Sequence, residues 1–181
     1  MQVRDRILEA ALRLLADAGA HELTQPKVAR AAGVRQSHLT YYFPTITDLL
    51  QAVARHSLDK LAAELGGAAG RRKPGSLAEG LAHGTSDKKR VRMMLGLVMA
   101  ADRDASLKPR MRSFVDEIRG RLAPLLQTGG LAVGEAEIAF LHSVVVGCAV
   151  LQLARDNPAA RKEAREVLAM AVACLERGRK E

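Results

Sequence analysis

Arg35, Gln36, Ser37, His38, Thr40 and Tyr41 lie within seven consecutive residues, and each side chain ends in a hydrogen-bonding group. The apolar positions beside them, Leu39 and Phe43, are four apart. On a helix that spacing places the two apolar residues on one face and leaves the polar ones on the remainder. Such a helix is suited to reading a surface patterned in donors and acceptors. The base edges of a DNA major groove are such a surface, because each base pair there shows a distinct pattern.

The chemistry of an enzyme is not written in this chain. No GxSxG, Walker-type glycine loop or HExxH occurs, so no catalytic residue is expected. Cys148 and Cys174, both inside apolar runs, give neither a disulfide framework nor a CxxC knuckle and fit a reducing cytoplasm. His83 and His142 form no ligand spacing with them, so neither a metal nor another cofactor is expected, and His142 reads as a hydrogen-bonded core residue.

The elements that must position the polar run are legible around it. Residues 4–18 carry Ile7, Leu8, Ala11, Leu12, Leu15 and Ala18 on one helical face, with Gly19 as the stop. Thr24 can cap a second helix holding Val28, Ala29 and Ala32, with Pro26 tolerated in its first turn and Gly33 ending it. A third short helix, Arg35 to Phe43, stops before Pro44. Thr45 and Asp48 read as a capping-box variant opening a long helix along Leu49, Leu50, Val53, Ala54, Leu58, Leu61 and Leu65, which breaks at Gly66 and Gly67. A basic surface loop to Ser76 and a short helix around Leu77–Leu81 follow. Helical patterns then recur over 88–101, 106–127, 134–155 and 159–177, with no strand alternation and no internal repeat.

The 181 residues are 48% hydrophobic and 27% charged, as in a folded protein, and Ala and Leu outnumber the β-branched and aromatic residues. The formal charge of +8 would attract nucleic acid or an acidic membrane surface alike. Its distribution is informative: the net charge is +2 over residues 1–60, +6 over 61–130 and zero over 131–181. Basic character therefore cannot be the argument for DNA; the placement of motifs must be. The N-terminus lacks a signal-peptide pattern, and the apolar runs 138–151 and 167–175 fall short of the roughly 20 residues that span a bilayer, so no membrane association is expected.

The segment TQPKVARAAGVRQSHLTYYFPTITDLL, residues 24–50, resembles the signature of the tetracycline-repressor (TetR) family at Thr24, Val28, Ala29, Ala32, Gly33, Val34, Leu39, Tyr42, Phe43, Leu49 and Leu50. With the upstream helix ILEAALRLLADAG the likeness covers residues 4–56. It implies an all-α protein of about nine helices, with a three-helix DNA-binding domain over 1–47 and a helical effector-binding and dimerisation domain over 48–181. Carried over by position, Arg35, Gln36, Ser37 and Thr40 would face base edges, Thr24, Tyr41, Tyr42 and the amide end of a helix at Thr47 would face phosphates, and His38 either. Gln25 and Lys27 join this DNA-facing set, while Phe43 reads as core. The sequence departs from the family at Gln25, usually apolar, at His38 and Thr40, and at Ile46, where a phosphate-facing Lys is common.

The last two helices are apolar nearly all round, which one buried face cannot explain. A four-helix homodimer interface through Val144, Cys148, Leu151, Val167, Met170, Ala171 and Cys174 accounts for it, as the resemblance also implies. Met93, Met94, Leu97, Val98, Met111, Phe114, Ile118 and His142 could line an effector cavity, the alternative being plain core. With few aromatics beyond residue 43, an aliphatic effector is expected rather than a stacked one. The function so read is a cytoplasmic repressor that binds a palindromic operator in double-stranded DNA and is released by a small molecule. The alternative is a dimeric helical adaptor that uses residues 24–42 for protein contact.

Overall fold

The computed structural model describes residues 2–18, 23–69, 76–128, 131 and 133–177. Among these, nine α-helices and one 3-10 turn occur and no strand: α1 (Val3–Ala18), α2 (Gln25–Ala32), α3 (Gln36–Tyr42), α4 (Ile46–Ala69), α5 (Ser76–Thr85), α6 (Lys88–Arg103), the turn Ala105–Leu107, α7 (Lys108–Thr128), α8 (Glu135–Arg155) and α9 (Pro158–Arg177). The all-α expectation holds. Two element readings are corrected. Helix α4 runs through Gly66 and Gly67 to Ala69, because glycine weakens a helix by only about 1 kcal/mol and does not forbid it. Helix α5 extends to Thr85. The expected stop at Gly19 and the segments 70–75 and 129–130 lie outside the described residues.

The chain forms two compact units, Met1–Lys60 with Lys88–Met111, and Leu61–Asp87 with Arg112–Glu181. The region 88–111 thus joins the N-terminal unit, which a division of the chain at residue 47 does not provide for.

In the first unit Ile7, Leu8, Ala11 and Leu15 of α1 are fully buried, as their helical spacing predicts. Val28 and Ala29 from α2, Leu39 from α3, Phe43, then Leu49, Val53 and Ala54 from α4, complete the core around them, and α6 adds Val91, Met93 and Leu97. Glu9 of α1 ties to α4 through His56, at 3.0 Å, and Lys60. The bond from Lys60, then that from His56, hold the Glu9 carboxyl below the usual 4.5. A carboxyl lowered by folding contributes stability that is present above its ordinary value and is lost as pH falls below it. Glu9→Gln is therefore expected to flatten the acid limb of the stability curve, read as melting temperature between about pH 6 and 3. A curve as steep as that of the parent would remove Glu9 from the acid response.

In the second unit, Leu77, Leu81, Leu126, Leu131, Leu141, Cys148, Ala164, Leu168, Ala171 and Val172 form the core. Helices α8 and α9 make an antiparallel hairpin. Asp156, in the left-handed region at φ 41°, closes α8, Asn157 Oδ1 accepts from the Ala160 amide at 2.8 Å, and Pro158 opens α9. Gln152 is buried but satisfied: its Nε2 donates to Thr85 Oγ1 at 2.7 Å, which in turn donates to the Ala82 carbonyl. Among the described residues, α8 is the one helix long and apolar enough to cross a membrane by length and composition, a test that the core helix of a globular protein also passes.

Candidate nucleic-acid interface

Thr24 sits in extended geometry and its hydroxyl accepts from the Lys27 amide, so α2 begins where the cap chemistry places it. Pro26 occupies the first turn, where a missing amide costs nothing. Gly33 ends α2 at φ 64°, a conformation that penalises any Cβ, and Val34 N donates back to the Ala29 carbonyl at 3.0 Å in the six-to-one closure of a glycine-terminated helix. That turn is held from outside by Arg6 of α1, whose Nη2 donates to the carbonyls of Ala32 and Gly33 at 3.0 and 2.9 Å. Arg6 was absent from the sequence reading because nothing in its local pattern marks a contact 27 residues away.

After two residues the chain enters α3. Leu39 is fully buried and Phe43 is 3% exposed, while Arg35, Gln36, Ser37, His38, Thr40, Tyr41 and Tyr42 are all exposed. The i, i+4 pair therefore anchors the helix and leaves the polar set outside, as expected. Tyr41, at 81% exposure, stands edge-on to Tyr42 with ring centroids 5.3 Å apart. Arg4 lies over the Phe43 ring at 5.8 Å. The Thr40 hydroxyl donates to the Gln36 carbonyl at 2.9 Å, so toward a ligand it offers an acceptor and a methyl rather than its proton.

Gln25 is placed differently from the expectation. Its amide donates to the carbonyls of Phe43 and Pro44, at 2.8 and 3.1 Å, which engages both amide hydrogens in joining the start of α2 to the end of α3. Carbonyls beyond a helix end need donors, and here the polar residue at a usually apolar position supplies them.

Helix α4 begins in a reciprocal cap. The Thr45 amide donates to Asp48 Oδ2 at 3.0 Å and the Asp48 amide donates to Thr45 Oγ1 at 3.1 Å, as the Thr45–Asp48 spacing predicts. Hydrogen bonds from the Thr45 hydroxyl and amide, then from Arg110 at 2.7 Å, hold the Asp48 carboxyl below its usual range. Thr47, half-buried, sits in the first turn of α4, where helix amides are free of intrahelical partners.

Residues 24–47 include Lys27, Arg30 and Arg35 and no Asp or Glu, so the segment is locally basic although residues 1–60 together carry a net charge of only +2. Two helices joined by a glycine turn, a buried anchor pair and an exposed polar face without a carboxylate are the parts of a helix-turn-helix. Residues 7–53 match the sequence profile of bacterial regulatory proteins of the tetR family. This N-terminal segment is that of a TetR-family regulator.

Over nearly its whole length the chain is also similar to solved structures. A TetR-family member from Streptomyces coelicolor A3 shares 26% identity over 94% of this chain and 98% of its own, with a TM-score of 0.70. The multidrug binding protein EbrR, solved with ethidium, shares 26% identity over 94% of this chain and 98% of its own, with a TM-score of 0.70. A TetR transcription regulator from Haloarcula marismortui, at 17% identity, 95% and 97% coverage and a TM-score of 0.73, shares the fold. A search of curated proteins finds no match to this chain.

The residues expected at an effector cavity fall in both compact units. Met93, Met94, Leu97, Val98 and Met111 belong to the first, and Phe114, Ile118 and His142 to the second. Met93, Leu97 and Phe114 are buried, Met94, Met111, Ile118 and His142 half-buried, and Val98 is 48% exposed. Of the residues expected at a dimer interface, Cys148 and Ala171 are buried inside the second core, a correction that follows from the side of each helix facing that core. Burial, then Glu163, pushes the Cys148 thiol up, so it is a packing residue. Val144 and Val167 pack partly against the same core, whereas Leu151, Met170 and Cys174 are exposed. Phe140, 46% exposed on the same helix as Leu151, was not foreseen as a surface residue.

Proposed function

We propose that this TetR-family regulator is a cytoplasmic homodimeric repressor that binds a palindromic operator in double-stranded DNA and is released by a small-molecule effector. The observation that carries the DNA-binding part is the exposed polar face of α3, fixed by buried Leu39 and Phe43 and bordered by Lys27, Arg30 and Arg35 without a carboxylate. Arg35, Gln36, Ser37 and Thr40 face base edges, His38 a base or a phosphate, and Thr24, Lys27, Tyr41, Tyr42 and the amides at Thr47 the phosphates. Gln25 supports the turn and is not assigned a contact.

A dimer sets two recognition helices about 34 to 36 Å apart, so that each reads one half of a palindrome. Support for an effector comes from EbrR, solved with imidazole, proflavin and ethidium. A ligand that prefers one dimer geometry over another shifts the population toward it and so changes operator affinity.

Selection of bound sequences from random duplexes by the purified protein, followed by a salt titration on the winner, tests this reading. An enriched palindrome with affinity falling steeply in salt is expected, and the absence of any palindrome would overturn it. On the selected duplex, Gln36→Ala is expected to weaken binding by about 1 to 3 kcal/mol with an unchanged melting temperature. Equal weakening on random DNA would show that Gln36 reads no base.

A further inference from the structure

Arg119 lies on α7 three residues before Leu122 and seven before Leu126, the positions through which α7 joins the second core. The register therefore puts Arg119 on the core side of its helix. Its Nε is buried and has no hydrogen-bond partner among the described residues. The neighbouring carboxylate on α7, Glu117, lies 2.7 Å from Arg121 instead. A guanidinium donor buried without an acceptor is costly, and native proteins rarely leave one so.

His142 stands on α8 next to fully buried Leu141 and between Ile138 and Val145, which pack against the same core. Burial, then the Arg119 cation, hold its imidazole below the usual 6.5, so at neutral pH it carries no charge. Arg119 thus lies close enough to the His142 ring to act on it electrostatically, and no acceptor among the described residues answers its Nε.

We propose that the second unit binds a small aliphatic carboxylate, its two oxygens taken side-on by Arg119 and its hydrocarbon tail laid on aliphatic side chains of α7 and α8. The guanidinium edge, Nε–H beside Nη–H, matches a carboxylate in two parallel bonds. Neutral His142 adds a hydrogen-bonding group without competing for the anion. A cation meets repulsion at this position, which sets the chain apart from EbrR with its bound ethidium. The inference rests on the effector reading above and names the class of effector.

Calorimetric titration of the full-length protein without DNA, using sodium octanoate, 1-octanol, octylammonium and ethidium, tests the proposal. Octanoate is expected to bind at least about tenfold more tightly than octanol, with no binding of either cation, since a charge-assisted bidentate pair is lost in the alcohol. Arg119→Met is expected to erase the preference for the acid, and Arg119→Lys, which keeps the charge but loses the paired edge, to reduce it. No octanoate binding, equal binding of octanol, binding of octylammonium, or an acid preference that survives in Arg119→Met would each overturn it; should the Met variant not fold, the Lys variant decides alone. The effector reading fails separately. Octanoate that binds without loosening the selected duplex removes the regulatory role and leaves the acid site, whereas a duplex released by ethidium alone keeps regulation and removes the acid site.

Discussion

Glutamate at both Leu151 and Met170 is expected to convert the protein to a monomer with an unchanged melting temperature of the isolated chain and a greatly weakened grip on operator DNA. Leu151 is 55% exposed and Met170 60%, yet both lie on helices whose other sides close the second core. Phe140 extends the exposed apolar surface of α8, and Gly147, with nothing within 4 Å of where a Cβ would stand, leaves room for a close neighbour. In a two-fold interface each substitution occurs twice, and an uncompensated carboxylate among apolar groups costs about 2 kcal/mol or more at a central position. Together these raise the dimer dissociation constant by roughly a thousandfold or more. Light scattering at micromolar concentration checks the mass, and titration on the selected duplex checks the affinity. A double variant that stays dimeric would move the interface elsewhere on the molecule.

The second large effect is expected at Leu39. Leu39→Ala removes a fully buried side chain and should lower stability by about 2 to 5 kcal/mol. The loss falls on a helix of seven residues, far too short to hold its shape without tertiary contacts, so α3 is released and specific binding disappears. Tyr41→Ala is the control: at 81% exposure its removal should leave stability within about 0.5 kcal/mol while weakening DNA binding through a lost phosphate contact. Thermal melts with duplex titrations separate the two. A Leu39→Ala variant that melts with the parent would show that α3 is anchored by something other than this side chain.

Both predictions draw on features that differ in how visible they are in sequence. The cap at Thr24, the left-handed Gly33, the Leu39–Phe43 pair and the Thr45–Asp48 cap are each settled within a few residues, and each stands where local rules place it. Gln25 and Arg6 could not be read this way. Their hydrogen bonds reach 18 and 27 residues along the chain, to carbonyls whose position depends on how α1, α2 and α3 pack. Helix α8 failed for a different reason. When nearly every residue is apolar, periodicity carries no direction, and only packing shows that Leu141 and Cys148 face inward while Phe140 and Leu151 face out.

By itself the sequence determined the all-α class, the helix-turn-helix and its exposed polar face, because capping, turn geometry and i, i+4 anchoring are short-range effects. The tertiary structure alone decided which faces of α8 and α9 close the core, how residues 88–111 join the N-terminal unit, and that Arg119 keeps a buried donor unanswered among the described residues. These depend on contacts between segments distant in the chain, where burial on one helix is set by the side chains of another.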